Sequence, residues 1–109
     1  MSKKYFRDGS DFVELVFGFG SCFATDRITV DGCLVGYMYR EEPDDKFDSG
    51  WRFFSGTESQ DYLENPKNLG IYNVNTIANY DPAITPYLDA PAGTELVRNG
   101  EHFKIEKSR

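Results

Sequence analysis

Histidine and cysteine are scarce in this 109-residue chain: one histidine, His102, and two cysteines, Cys22 and Cys33. A structural zinc site takes about four Cys or His ligands, so three unclustered ones exclude it. A catalytic triad needs a base aimed at a nucleophile and held by an orienting group. His102, just past a turn signal, reads as an exposed strand residue instead. Basic residues are also few, twelve against eighteen acids, and the net charge of −6 opposes both a phosphate backbone and an anionic membrane surface. Nucleic acid and membrane are therefore not expected as partners. No apolar run approaches the roughly 20 residues of a spanning helix. Lys3, Lys4 and Arg7 ahead of residues 12–19 and Gly20-Ser21-Cys22 imitate a lipoprotein signal. Asp8, Asp11 and Glu14 interrupt the uncharged stretch such a signal requires, so a cytoplasmic protein is expected.

Phosphate and calcium motifs are missing too. The close pair Gly18 and Gly20 leads into strand-like sequence and not into a helix, so it does not make a phosphate cradle. Counted as a calcium loop from Asp44, the run containing Asp45 and Asp48 has Lys46 at a ligand position and no glycine at the sixth. No catalytic residues, cofactor or metal are expected, and no enzymatic role.

Aromatic residues are abundant: nine Phe, seven Tyr and one Trp. Three fall in the run Gly50-Trp51-Arg52-Phe53-Phe54-Ser55-Gly56, read as a strand at the heart of a sheet, since aromatics suit a pleated surface and bury about 150–250 Å² each. The flanking glycines mark its turns.

Residues 1–11 are polar and unpatterned and read as a flexible tail ahead of a single α+β domain over residues 12–109. Residues 12–19 read as a first strand or a short helical turn leading into one. Asp31-Gly32 is a strong hairpin signal and sets residues 21–29 against 33–41. That register gives a core face of Ala24, Ile28, Val35, Tyr37 and Tyr39, with Phe23, Leu34 and Met38 on the other side. Asp26 on the core face either lies near a rim or needs a partner. The same register sets Cys22 and Cys33 roughly 25 Å apart, so both thiols should be free, small core residues. The Trp51 strand pairs antiparallel with residues 33–41 to complete a meander.

Thr57 or Ser59 caps a short helix ending at Asn65-Pro66, and Asn73 or Asn75 caps another with Val74, Ile77 and Ala78 as its apolar stripe and Pro82 as its stop. Pro82, Pro86 and Pro91 break the chain at short intervals, so residues 83–88 allow at most one more turn. Asn99-Gly100 turns a last hairpin. The expected fold class is α+β: a small antiparallel sheet of four to five strands with two or three short helices.

Acid is concentrated in residues 41–64, where Glu41, Glu42, Asp44, Asp45, Asp48, Glu58, Asp61 and Glu64 stand against Lys46 and Arg52, a balance of 2 − 8 = −6. If the loop and the following helix share one side, they form an acidic face fitted to a basic protein partner. A loop kept charged for solubility accounts for the same residues.

Four stretches in order carry a resemblance: Gly36-Tyr37-Met38-Tyr39-Arg40-Glu41, Asp48-Ser49-Gly50-Trp51-Arg52-Phe53-Phe54-Ser55-Gly56, Gly70-Ile71-Tyr72, and Asn75-Thr76-Ile77-Ala78-Asn79-Tyr80-Asp81-Pro82. Together they resemble the bacterial immunity protein thirty-three family of polymorphic toxin systems, first described as a domain of unknown function. The resemblance covers about residues 20–97. It implies an α+β domain, made in the bacterial cytoplasm, that binds a toxin and protects its producer, and it brings no catalytic residues with it. The first 20 residues and the last hairpin lie outside it. A second reading stays open: an accessory or regulatory domain without a toxin partner.

Overall fold

The structure, a computed structural model, describes residues 3–107. Its centre is a six-stranded mixed sheet of strands β1 (Ser21–Thr25), β2 (Tyr37–Arg40), β3 (Asp48–Phe54), β4 (Leu69–Asn73), β5 (Glu95–Asn99) and β6 (His102–Lys107). Their order in space is β4-β1-β3-β2-β5-β6. The helices are α1 (Asp26–Thr29), α2 (Gln60–Glu64) and α3 (Val74–Tyr80), with a 3-10 stretch over Pro82–Tyr87.

β3 takes the central position its aromatics suggest. Trp51 and Phe53 are fully buried and stack at 5.9 Å between centroids, and the Trp51 indole N–H donates to the Leu88 carbonyl at 3.0 Å. Around them one continuous core gathers Cys22 and Ala24 of β1, Met38 of β2, Leu96 of β5 and Phe103 of β6. Ile28 of α1, Val74, Ile77 and Ala78 of α3, and Ile84 and Leu88 cover that face.

The hairpin at Asp31-Gly32 does not form. Residues 26–29 close a helical turn instead, and Gly32, at φ 81°, ends it: its N–H donates to the Ile28 carbonyl and that of Cys33 to the Arg27 carbonyl. An Asp-Gly pair serves a helix end as well as a hairpin: the helix end needs positive φ at the glycine alone, whereas the two-residue hairpin turn needs it at Asp31 as well, and only Gly32 adopts it. β1 therefore leaves β2 and pairs parallel with β3 on one side and antiparallel with β4 on the other.

The antiparallel meander over residues 21–55 is thus overturned, and the sheet has six strands in a mixed arrangement instead of four to five antiparallel ones. The pairing of β2 with β3 is antiparallel as expected. With the shared register gone, the assigned faces also change. Ala24, Ile28 and Val35 are buried as expected, but Met38 joins them, while Tyr37 and Tyr39 lie with Phe23 on the opposite face. Both cysteines are free, yet only Cys22 is a core residue and Cys33 is exposed. Asp26 has its partner, the Lys3 ammonium at 2.7 Å.

Residues 12–19 form no strand. Their backbone is held by side chains of α3: Asn79 Oδ1 accepts from Val13 N at 2.9 Å, Asn75 Oδ1 accepts from Leu15 N at 2.7 Å and Val16 N at 3.0 Å, and both amide nitrogens donate to the Val13 carbonyl. With those groups satisfied by two asparagines one helical turn apart, the segment needs no ladder.

The other short elements are present, with one extension: the 3-10 stretch Pro82–Tyr87 runs through Pro86 to six residues, beyond the single turn expected, since a 3-10 turn takes only three. Ser59 caps α2 and Asn73 caps α3, each accepting a backbone N–H from the first turn. Asp81 caps the 3-10 stretch and, fully enclosed, also accepts from Val35 N at 3.0 Å and pairs with Arg98. The last hairpin is present with Asn99 opposite His102, so Gly100 and Glu101 make the turn, one position later than expected. Among the described residues no helix is long and apolar enough to cross a membrane.

Candidate functional site

Strand alternation turns Phe23, Tyr37, Tyr39, Arg52 and Phe54 away from the core, onto the second face of the sheet. The registers bring them together: Phe23 lies opposite Arg52, Arg52 opposite Tyr39, and Phe54 opposite Tyr37. Beyond β2, Glu95 stands opposite Tyr39 and Val97 opposite Tyr37, and beyond β1, Ile71 stands opposite Phe23. Tyr37, Tyr39 and Phe54 form a cluster with centroid separations of 5.6–5.9 Å, the Tyr39 and Phe54 rings nearly parallel at 15°.

Helix α2 reaches this face through Leu63. A groove of about 390 Å³ remains open between them, lined by Phe23, Tyr39, Glu41, Arg52, Phe54, Leu63 and Leu69.

Arg52 is the cation at the groove floor, with its side chain 4% exposed. Its guanidinium makes two bonds to Asp48, at 2.9 and 2.8 Å, and a third to Glu41 at 2.6 Å, and it lies 4.5 Å from the centre of the Phe23 ring. Asp44 is 3.9 Å away. The hydrogen bonds from Arg52 hold the Asp48 carboxyl well below the usual aspartate range, against the opposing effect of burial. Hydrogen bonding to Asp48 likewise raises the guanidinium pKa.

At the other end of the cluster the Tyr37 hydroxyl donates to Glu95 at 3.0 Å, and burial together with that bond pushes its pKa up to about 12. Burial also raises Tyr39, and the charges of Glu41 and Glu95 add to the shift while Arg52 opposes it.

The eight acids of residues 41–64 separate into three groups. Glu41, Asp44 and Asp48 converge on Arg52. Glu58 is tied into the fold, accepting from Thr25 Oγ1 at 2.6 Å, Ser55 N at 2.8 Å and Gly56 N at 3.0 Å. Burial alone would raise its pKa, but these bonds outweigh it and lower it. Asp61 and Glu64 are exposed on α2, the helix that supplies Leu63 to the groove, and Glu42 and Asp45 are exposed in the loop before β3, where Asp45 accepts from Phe47 N and Asp48 N. Among the described residues no group of three or more His, Cys, Asp or Glu side chains is placed to hold a metal ion.

Tyr37, Tyr39 and Phe54 lie inside the stretches that carry the resemblance, but neither charge nor spacing marks them, or Phe23 and Glu95, as a site. A signal is nevertheless present in β3, where Phe54 follows Trp51 and Phe53 out of phase. A strand with aromatics on both sides has a second face to pack or to offer.

Comparison with curated proteins and with solved structures found no match. A protein-family model does match, the immunity protein Imm33 domain, over residues 22–107, which takes in the C-terminal hairpin as well as the four stretches quoted above. By that match over most of its length, the chain belongs to the Imm33 immunity protein domain family.

Proposed function

We propose that this domain protects its producer by binding a cognate toxin directly, as a non-enzymatic inhibitor, and that it presents an acidic face to a basic toxin surface. The observation that carries the proposal is the placing of exposed carboxylates. Asp44, before β3, is exposed 3.9 Å from Arg52, and Asp61 and Glu64 are exposed on α2, the helix whose Leu63 lines the groove, while Arg52 itself is already matched by Glu41 and Asp48. A face so charged attracts a basic partner over a Debye length and orients it before contact. The family supports the protective role. Docking by attraction to a basic surface is the physical reading of the charges.

A protection assay tests it. The product of any toxin gene found beside this one is expressed in a sensitive bacterium with and without the domain. Growth restored by the domain is expected. Equal killing in both cultures, with the domain present as folded protein, overturns the reading.

A further inference from the structure

We infer that the groove on the open sheet face is the docking site itself, and that its occupant is an arginine or lysine side chain of a basic protein segment, seated over Tyr39 and Phe54 between Glu41 and Glu95. The inference rests on the toxin-binding reading and specifies where and by what chemistry the partner is held.

Three features of the face select this occupant. First, its walls are aromatic and half-buried, with the Tyr39 and Phe54 rings stacked and Leu63 and Leu69 beside them. Aromatic faces attract cations within about 6 Å, and this fold already uses that attraction at Arg52 over Phe23, at 4.5 Å. Second, carboxylates stand at both sides of Tyr39: Glu41 two residues on, just past the end of β2 and lining the groove, and Glu95 directly opposite on β5, where one of its oxygens accepts from the Tyr37 hydroxyl.

Third, the buried cation does not repel a second one. Arg52 is matched by Asp48 and Glu41 together, so that trio carries a net negative charge and Glu95 adds another. Closure by a second copy of this chain is disfavoured by the same charges. A two-fold contact would set Glu41 and Glu95 against like charges of the partner copy. A cationic side chain meets the opposite situation, an apolar body against the rings and its head between carboxylates.

The test is an NMR titration of the full isotope-labelled chain with an oligoarginine peptide, repeated with Glu95→Gln and Tyr39→Leu. Glu95→Gln keeps an acceptor for the Tyr37 hydroxyl while removing the charge, and Tyr39→Leu keeps apolar bulk while removing the ring. The dispersion of each variant's spectrum shows whether it is folded. Saturable shifts centred on Tyr39, Phe54 and Leu63 are expected, with affinity reduced by about threefold to tenfold in either variant. Shifts centred on the loop of residues 42–47, no shifts at all, or an affinity that both variants leave unchanged would overturn the proposal. The peptide is not a toxin, so these failures leave the immunity reading standing, whereas failure of the protection assay removes that reading whatever the titration gives.

Discussion

Asp48 and Arg52 lie four residues apart on one strand, yet their side chains close a two-point ion pair at 2.9 and 2.8 Å. In a regular strand residues so spaced are about 13 Å apart. β3 departs from regularity there: Ser21 of β1 faces Asp48 and Phe23 faces Arg52, so four residues of β3 advance against two of β1. Gly50, at φ 87°, sits inside that bulge and folds the chain back so that the carboxylate meets the guanidinium.

Removing the Asp48 charge breaks an enclosed pair and leaves Arg52 with Glu41 and, at 3.9 Å, the exposed Asp44. Asp48→Asn should destabilise the fold by up to about 3–5 kcal/mol, read by urea unfolding, and less if Glu41 compensates. The pH dependence follows from the lowered carboxyl. A group whose folded pKa lies below its unfolded value contributes stability above the unfolded pKa and loses it as pH falls through the folded one. Wild-type stability should therefore decline as pH drops below the ordinary aspartate value of about 3.9. That portion of the slope should vanish in Asp48→Asn. An identical acid slope in both proteins would contradict it.

Gly50→Ala tests the bulge. The position has positive φ, and an added Cβ would fall far inside contact distance of the Glu41 carbonyl oxygen. Positive φ alone costs a non-glycine residue about 1–3 kcal/mol, and backbone crowding adds to it. A lower melting temperature is expected, with weakened order at Arg52 seen in its NMR side-chain signals. An unchanged melting temperature would mean that β3 takes another path.

Trp51→Ala should cost about 3–5 kcal/mol, because the indole is fully buried and its N–H satisfies Leu88. Thermal unfolding measures it. A loss below about 1 kcal/mol would place Trp51 outside the core.

The elements legible in the sequence are those fixed by local chemistry. Asn73 ahead of Val74, Ile77 and Ala78 foretells α3 because cap and stripe agree, and the turn after Asn99 foretells the last hairpin. The Gly50–Gly56 run foretells the central strand because burial of three aromatics leaves few alternatives. What stays hidden depends on distant partners. Asp31-Gly32 is the same dipeptide in a hairpin and at a helix end, and nothing near it records that β1 lies beside β3. β4 escapes notice because Gly70 interrupts it and Ile71, at its middle, remains 68% exposed.

The candidate site is half legible for the same reason. Charge identifies the segment, but only the fold shows that Asp48 and Glu58 are occupied internally while Asp44, Asp61 and Glu64 stay exposed.

That division directs the electrostatic prediction to particular residues. The triple variant Asp44→Lys, Asp61→Lys, Glu64→Lys reverses exposed charges and spares Asp48 and Glu58. On the proposed function, association with the toxin should slow by about tenfold or more and wild-type association should slow as salt rises, with stability changed by roughly 0.5 kcal/mol per site or less. Stopped-flow kinetics at two ionic strengths reads both. On-rates indifferent to salt and to the triple reversal would remove the acidic face from recognition.

On the proposed function the domain neutralises a toxin by occupying it. The test is a titration of the purified toxin's activity with the purified domain, beside a calorimetric titration of the same pair. Activity should be abolished at a stoichiometric amount of domain, and heat should saturate at the same ratio. Full toxin activity in excess domain, with no heat of binding, would contradict it.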